Sequence, residues 1–329
     1  MGAKMIRLDA AADYLGVGAI EVNMYEKEIM DLVRRSTPAL KRLGGGGQRA
    51  NGHPHRFFEE TSIGTAVAVD PRNIASAATG PTRVERSVPI KAAISQTNVS
   101  QFDKDVTEQQ GQFAYVVGKD IEDTISAVEL KRASMLWIGT DTSLSAPTTL
   151  EWMGGLTQIT QQATIAPGAS IIDGLKSQVA AMIANETYDV RPTAIYVNPI
   201  LGDYIDQEAR ASHIELQEME ISAGVVVNAL NTQAGRLPLI PDVYLPKSAG
   251  AAYGFGAPPA GNNNYFAVIV SEKEVEIPYI SGAEDNPNPR LFQLGLTGNL
   301  AGQFVGIKFD AVVFKGATYA HSTVAVVRP

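Results

Sequence analysis

The spacing of apolar side chains changes along this chain, and the longest regular stretch is helical. Between residues 103 and 138, apolar side chains recur at intervals of three, four and seven residues. They are Val106, Phe113, Val117, Ile121, Ile125, Val128 and Met135. We predict one helix of roughly 50 Å over this stretch, at 1.5 Å per residue. Gly111 and Gly118 each cost about 1 kcal/mol relative to alanine, so tertiary contacts must hold the helix.

A second, shorter helical stripe covers residues 19–35 near the N-terminus. Its apolar positions are Val22, Tyr25, Ile29, Leu32 and Val33. Pro38 and the glycine run 44–47 follow, and both residue types interrupt regular structure. We therefore expect an amphipathic arm on a flexible joint, with regular structure stopping at Pro38.

Residues 55–100 alternate apolar and polar positions in short β-branched runs. The runs read RFFEET, TAVAV and RVERSVPIKAAI, and a polar stretch from Asp70 to Thr82 interrupts them. This pattern predicts an extended two-stranded ribbon that doubles back. Two strands alone are marginally stable, so the ribbon should lie against a neighbour.

From residue 150 onward, helical and extended patterns alternate in the manner of an α+β body. Ser170 and Asp173 resemble a capping box before the helical run IIDGLKSQVAAMIA. The run TAIYVNP is predicted as a strand, and ILGDYIDQEAR as a second helix. Strand-rich runs then continue to Val327.

Composition excludes several classes of function. The net charge of −8 at pH 7 rules out a polycation that binds nucleic acid through its whole surface. The chain has no cysteine, which excludes disulfides, thiolate nucleophiles and cysteine-ligated zinc. It shows no signal-peptide pattern and no run of eighteen apolar residues, so we expect no membrane partner.

Catalytic and metal-binding motifs are also missing from the sequence. The pair His53 and His55 flanks a proline, with no carboxylate or third histidine close by in sequence, whereas metal sites need three or four ligands. His213 and His321 are isolated and are expected to be surface or packing residues. The glycine run lacks the Gly-Lys-Ser/Thr of a phosphate loop, and no serine nucleophile elbow occurs. We predict no catalytic site, no metal and no cofactor.

The order of these parts resembles the tailed-bacteriophage major capsid proteins with the Hong Kong 97-type fold. PTAIYVNPILGDYI is similar to their axial-domain strand, turn and helix. EKEVEIPYISGAEDNPNPRLFQLGL resembles the peripheral-domain hairpin, and VGIKFDAVVFKGAT resembles a late strand. The resemblance implies the following segments: an N-terminal arm at 1–53, an extended β loop at 54–99, a spine helix and linker at 100–149, an axial domain at 150–262 and peripheral C-terminal strands at 263–329.

This resemblance implies a structural subunit rather than an enzyme. Its partners would be copies of itself in hexamers and pentamers, a portal, a separate scaffold or cement proteins, and weakly contacted double-stranded DNA. It would be assembled in the host bacterial cytoplasm and located in the virion. The main alternative is an encapsulin-like nanocompartment shell that houses a cargo enzyme, and an enzyme of unknown class is a more distant one.

Two groups of charged residues are candidate contacts. A basic group without acidic neighbours follows the predicted arm helix and would touch DNA or an adjacent subunit, unless it is a solvated linker: Arg34, Arg35, Lys41, Arg42 and Arg49. The second group would form ion pairs between subunits, unless its charges face solvent: Arg72, Arg83 and Arg86 of the ribbon with Glu284 and Asp285.

A covalent link between subunits occurs in some relatives, where a lysine of the extended loop joins an asparagine of a neighbour. The candidates here are Lys91, Asn286 and Asn288. Because Lys91 lies far from the predicted ribbon tip, we expect that its amine cannot reach another subunit. The shell is therefore predicted to lack this cross-link.

Overall fold

The fold was analysed in a computed structural model of the chain. It describes residues 37–44, 47–72, 80–110, 116–214, 216–222, 225–280, 289–294, 298 and 300–329. The predicted arm helix at 19–35 lies outside the described residues.

Helices and strands alternate along the described chain. The helices are α1 (Pro38–Gly44), α2 (Gln101–Gln110), α3 (Val116–Ile138), α4 (Gly155–Gln158), α5 (Ile171–Ile183) and α6 (Pro199–Ala211), with a short 3-10 turn at Glu272–Glu274. The first eight strands are β1 (His55–Ser62), β2 (Thr82–Val88), β3 (Lys91–Ser100), β4 (Gln162–Ile165), β5 (Ala194–Val197), β6 (Gln217–Ser222), β7 (Val225–Thr232) and β8 (Gly235–Pro241). The others are β9 (Lys247–Ser248), β10 (Asn263–Val270), β11 (Val275–Glu276), β12 (Arg290–Gln293), β13 (Leu300–Asp310), β14 (Val313–Phe314) and β15 (His321–Arg328).

One mixed sheet organises the larger of two compact units. Its strands lie in the order β4-β15-β10-β5-β8-β7-β6, and β9 pairs with β10. Strand β10 is antiparallel to both β15 and β5, whereas β5 and β8 are parallel. All four residues of β5 and nearly all of β10 and β15 are buried. Continuous apolar runs are typical of strands covered on both faces.

Helices α5 and α6 cover one face of this sheet. Ser170 caps α5, since its hydroxyl oxygen accepts a hydrogen bond from the Asp173 N–H at 3.1 Å, as the capping pattern predicted. Glu208 of α6 accepts the next free donors, the N–H groups of Ile171 and Ile172. Asn198 caps α6, and Pro199 occupies its first turn. The two predicted helices are therefore confirmed, and their apolar faces pack into one core.

The end of α3 covers the opposite face. Trp137 is fully buried and its ring lies 5.3 Å from that of Tyr196 on β5 and 6.0 Å from that of Phe314 on β14. Its indole N–H donates to the buried carboxylate of Asp242 at 3.0 Å. A buried tryptophan needs a partner for its one donor, so this bond fixes the ring as well as the helix end.

The smaller unit contains residues 94–128 and 289–307 among those described. Its sheet has the order β12-β13-β3. Strand β13 approaches α3 closely at Gly306, where a Cβ atom would lie 3.1 Å from the Thr124 methyl group. An alanine at position 306 would require the Thr124 side chain to shift by a few tenths of an ångström.

Several expectations from the sequence need correction. Pro38 does not end regular structure; it begins α1, where a proline is tolerated because the first helical N–H has no partner. Leu40 and Leu43 of α1 are buried, so this part of the predicted arm belongs to the body. The main sheet also crosses the boundary predicted at 262, since β10 and β15 pair with β5 and β4.

The long helix is observed in two described parts, α2 and α3, on either side of residues 111–115. It begins at Gln101, two residues before the predicted start. Within the described chain, no helix combines the length and apolar character required to cross a membrane.

Candidate functional site

The ribbon formed by β1 and β2 has two unlike faces. The strands pair antiparallel from His55 opposite Val88 to Ser62 opposite Thr82. Because side chains alternate along a strand, one face carries His55, Phe57, Glu59, Val84 and Val88, which are buried or half-buried. The other face is exposed and includes Phe58, 71% of which is open to solvent.

Three ion pairs cross the ribbon. Arg83 Nε lies 2.9 Å from Glu60, Arg86 Nε lies 3.1 Å from Glu59, and Arg56 lies 2.9 Å from Glu85. Glu60 and Arg83 are directly opposed in the register, whereas the other two pairs are diagonal. Cross-strand charge pairs of this kind stabilise a sheet by about 0.2 to 1 kcal/mol each.

The base of the ribbon is fixed to the body. Val88 packs in a small apolar cluster with Ala311 and Val313. His55 is buried, stacks on Phe57, and places Nε2 3.6 Å from a carboxylate oxygen of Glu276. Lys315 lies 2.5 Å from the other oxygen of Glu276.

Two contacts attach the middle of the ribbon to the body. Glu59 accepts the Gly316 N–H at 3.0 Å, and the Tyr188 hydroxyl donates to the Thr61 carbonyl at 3.1 Å. Tyr188 itself stacks on Tyr319 with 3.6 Å between ring centroids. These are single polar contacts, so they hold the ribbon far more weakly than the apolar core holds the sheet.

The ribbon tip, residues 62–72, is open to solvent. Every residue from 62 to 72 is exposed, including Ile63, Val67 and Val69. Residues 63–72, which follow β1, have no helix or strand assignment although residues 66–69 are all apolar. An exposed apolar segment is a typical surface for protein association.

Two of the three ribbon arginines lie on β2 and have partners in their own chain. Arg83 and Arg86 are paired with Glu60 and Glu59, and Arg72 lies exposed near the tip. Glu284 and Asp285 lie outside the described residues. Their pairing with the ribbon across subunits therefore stays a prediction.

The residues of the predicted basic group lie in different environments in the structure. Arg34 and Arg35 lie outside the described residues, while Lys41 and Arg49 are exposed. Arg42 instead bonds the carboxylate of Glu272, which also accepts the Tyr196 hydroxyl. Burial raises the pKa of Glu272, but the bonds from Arg42 and Tyr196 outweigh burial and lower it below its usual value. Arg42 is thus paired within the body, and its contact with DNA or a neighbour stays a prediction.

Lys91 is held in a buried site at the start of β3. Its ammonium group contacts the Asp141 carboxylate and the carbonyl oxygens of Thr149 and Glu151. Burial raises the pKa of Asp141, but the bond from Lys91 and backbone N–H donors together lower it to about 2. The role of Asp141 was not predicted from the sequence, because residues 91 and 141 are far apart in the chain and no sequence pattern connects them.

The histidine pair serves the fold. The Nδ1 atom of His53 accepts the Ile90 N–H at 3.2 Å, while His55 is buried at the ribbon base. No group of three or more histidine, aspartate or glutamate side chains within the described ranges could hold a metal ion.

No family model matches this sequence, and no curated protein matches it. Solved structures, in contrast, match along nearly the whole chain. A subunit of the cyanophage A-1(L) capsid has a TM-score of 0.66 at 12% identity, covering 95% of this chain and 98% of its own. The capsid of Helicobacter pylori bacteriophage KHP30 has a TM-score of 0.62 at 9% identity, covering 100% and 99%.

An encapsulin shares the same architecture. The SrpI encapsulin complex from Synechococcus elongatus PCC 7942 matches with a TM-score of 0.62 at 12% identity, covering 98% of this chain and 96% of its own. At such low identity these likenesses show the fold alone. The chain therefore has the α+β, Hong Kong 97-type capsid fold that the order of its elements predicted.

Proposed function

We propose that this chain is a major capsid protein, a subunit that closes with copies of itself into the head of a tailed phage around double-stranded DNA. The main support for the proposal is the exposed apolar surface at the ribbon tip. Its tip exposes Ile63, Val67 and Val69 beside a body whose apolar core is already complete. Those side chains would be buried on a second copy.

The fold supports this proposal because the matched structures include capsids of several phages. The partners would be further copies as hexamers and pentamers, a portal, and scaffold or cement proteins. DNA contact would be weak and non-specific, since the chain carries a net charge of −8. Assembly would take place in the host cytoplasm.

The test is expression of the chain alone, followed by negative-stain electron microscopy. We expect closed particles from the unaltered chain. Replacing Ile63, Val67 and Val69 with serine should leave the subunit folded, since all three are exposed, and should abolish closed particles. Folded subunits that still close into normal shells would contradict the assignment of the tip as an assembly contact.

Deletion tests the role of the N-terminal arm, which the sequence assigns to residues 1–53. Because Leu40 and Leu43 are buried in the body, removing residues 1–53 would damage folding as well as assembly. A deletion of residues 1–36 keeps α1 intact. We expect it to impair shell closure, and sedimentation of normally sized shells would contradict this.

An encapsulin-like shell is the second candidate, supported by the match to the SrpI complex. Particles purified from the native source distinguish the two. Genomic DNA inside them supports the capsid, and a co-purified enzyme in place of DNA supports the nanocompartment.

Covalent cross-linking of the shell is not expected. Lys91 is enclosed by Asp141 and two carbonyl oxygens, so its amine is not free to attack an asparagine of another subunit. Asn286 and Asn288 lie outside the described residues. Boiled particles should run as a single subunit band on a denaturing gel, and a ladder would contradict the prediction.

A further inference from the structure

A short exposed loop leads from the body into strand β1 and contains the dipeptide Asn51-Gly52. Both residues are open to solvent and lie in a bend, outside any helix or strand. The chain is anchored on each side of them. Before the dipeptide, the Ala50 N–H donates to the Tyr279 carbonyl at 2.8 Å, and after it, the His53 ring accepts a backbone N–H at 3.2 Å. The dipeptide is therefore an open stretch between two fixed points.

Gly52 makes its backbone nitrogen accessible to the side chain before it. A Cβ atom at position 52 would meet no other atom within 4 Å, so the space around the residue is free. Glycine has no Cβ to hinder an approach to its nitrogen, and it adopts a wider range of backbone conformations than other residues. The Asn51 side-chain carbonyl carbon can therefore approach the Gly52 nitrogen and close a five-membered ring.

The other asparagines lack this combination. In the whole sequence, each of them is followed by a residue larger than glycine. Asn198 is buried and precedes a proline, which has no N–H. Asn264 is 2% exposed and donates to a backbone carbonyl at 2.9 Å, and Asn228 donates to a carboxylate at 2.9 Å. Asn51 thus combines exposure with a neighbour that does not obstruct ring closure.

We propose that Asn51 is a site of spontaneous covalent modification, in which its side-chain amide is lost as ammonia. The Gly52 nitrogen attacks the Asn51 Cγ atom, and the bond from Cγ to the side-chain nitrogen breaks. The proton lost by the Gly52 nitrogen leaves with that amide group as ammonia. Water then opens the resulting succinimide ring at either carbonyl, which gives aspartate or isoaspartate. Water is the only reactant consumed.

The modification would alter the entry into the ribbon. Either product adds one negative charge to a chain whose net charge is already −8. Isoaspartate also brings the Cβ atom of residue 51 into the main chain, so the stretch between the two anchors becomes one atom longer. We expect the bond from the Ile90 N–H to His53 to weaken as a result. This inference goes beyond shell formation and does not depend on it.

The test is peptide mass spectrometry of the purified full chain after storage at neutral and at mildly alkaline pH. We expect a mass increase of about 1 Da in the peptide that contains Asn51, before any other asparagine reacts. The reaction should be faster at the higher pH, because the attacking nitrogen must lose its proton. Hydrogen exchange at the Ile90 amide should be faster in the isoaspartate form, and unchanged exchange there would contradict the altered entry into the ribbon.

Two glycine variants make the test specific to this loop. Gly52→Ala places a Cβ atom in free space, so folding should be kept while modification of Asn51 slows by at least about 5-fold. Gly80→Ala is the matched control, because a Cβ atom there also meets nothing within 4 Å, and it should leave the rate unchanged. The proposal is overturned if Asn51 stays intact while other asparagines react, or if the two variants are modified at the same rate.

Discussion

The body and the ribbon of this chain are stabilised by opposite means. The main sheet buries nearly every side chain of β5, β10 and β15 between helices on one face and the end of α3 on the other. The ribbon buries only its base, and its outer half is held by arginine–carboxylate pairs open to water. Apolar burial contributes several kcal/mol per large side chain, whereas exposed ion pairs contribute less than about 1 kcal/mol.

The difference indicates a division of roles. The body buries its main apolar cluster within one chain, so we expect most of its stability to come from its own contacts. A ribbon with little core of its own is marginal in isolation and becomes well ordered where a second surface covers it. The chain thus keeps its weakest contacts in the part that we propose for assembly.

The largest expected effect tests the body. Leu175→Ala removes a fully buried side chain of α5 and should lower the free energy of unfolding by about 2 to 5 kcal/mol. Phe58→Ser, at the exposed face of β1, should change it by less than about 0.5 kcal/mol. Urea unfolding of unassembled subunits measures both. If both substitutions lowered the free energy of unfolding equally, the distinction between body and ribbon would be wrong.

The second prediction concerns the pH dependence of stability, and it also involves a residue of the body. His321 begins β15 and is fully buried, and desolvation lowers its pKa to about 4 from an ordinary 6.5, against the effect of backbone hydrogen bonds at Lys315 and Glu274. Since the folded-state pKa is below the unfolded value, the unfolded chain binds the proton first as pH falls. The stabilising contribution is complete above pH 6.5 and declines toward pH 4, by about 3 kcal/mol in total.

His321→Asn isolates this contribution. Urea unfolding at several pH values between 4 and 7 should show a smaller loss of stability toward low pH in the variant than in the unaltered chain. Asp310 titrates in the same pH range, and its raised pKa makes the folded chain more stable as pH falls. This contribution is present in both proteins, so it cancels in the difference between their free energies of unfolding. The exposed His213, changed to asparagine, is the control. Parallel pH profiles for His321→Asn and the unaltered chain would show that His321 does not titrate as its burial requires.

The elements of the body could be predicted from sequence because each carries a local signal. Ser170 and Asn198 are helix caps next to apolar runs, and their helices were found as predicted. The pairing of β10 and β15 with strands from the middle of the chain has no local signal, which is why the boundary at 262 was wrong. The prediction that regular structure stops at Pro38 was wrong for a different reason. Proline both ends a helix and begins one, and only the tertiary burial of Leu40 and Leu43 decides between them.

The candidate sites were harder to predict. Arg83 and Arg86 were correctly placed on the ribbon, but their partners Glu59 and Glu60 depend on strand register. To predict the register, the length of the turn must be known, and the alternation of side chains does not determine that length. Arg42 and Glu272 are far apart in sequence, so their pair follows from the packing of α1 and could not be inferred from charge pattern.

A third, intermediate effect is expected where ribbon and body join. Lys91→Met leaves the buried carboxylate of Asp141 without its cation, although Thr142 and Thr148 still donate to it. We expect a loss of about 1 to 3 kcal/mol in urea unfolding. The double variant with Asp141→Asn should recover part of the loss. Lys247→Met, at an exposed lysine, serves as control, and a Lys91 variant that is no less stable than this control would show that the buried pair is not stabilising.

The smallest expected effect concerns the ribbon itself. Arg83→Glu places a glutamate directly opposite Glu60, so an attraction becomes a repulsion between exposed groups. The free energy of unfolding should fall by no more than about 1 kcal/mol, and salt should reduce the difference. Hydrogen exchange of the β1 amides should nevertheless accelerate, because the ribbon can open without unfolding the body.

Exchanging the pair decides whether Arg83 acts only within its own ribbon. In the double variant Arg83→Glu with Glu60→Arg, the cross-strand attraction is restored, and amide exchange in β1 should return to its original rate. If shells also return, the arginine is needed only to hold the two strands together. If the ribbon is restored but shells are not, the position of the positive charge matters to a neighbouring subunit, as the predicted contact with Glu284 and Asp285 requires. Charge reversal of Glu284 and Asp285 in that double variant should then recover part of the assembly, because residue 83 again faces opposite charges while Arg72 and Arg86 do not.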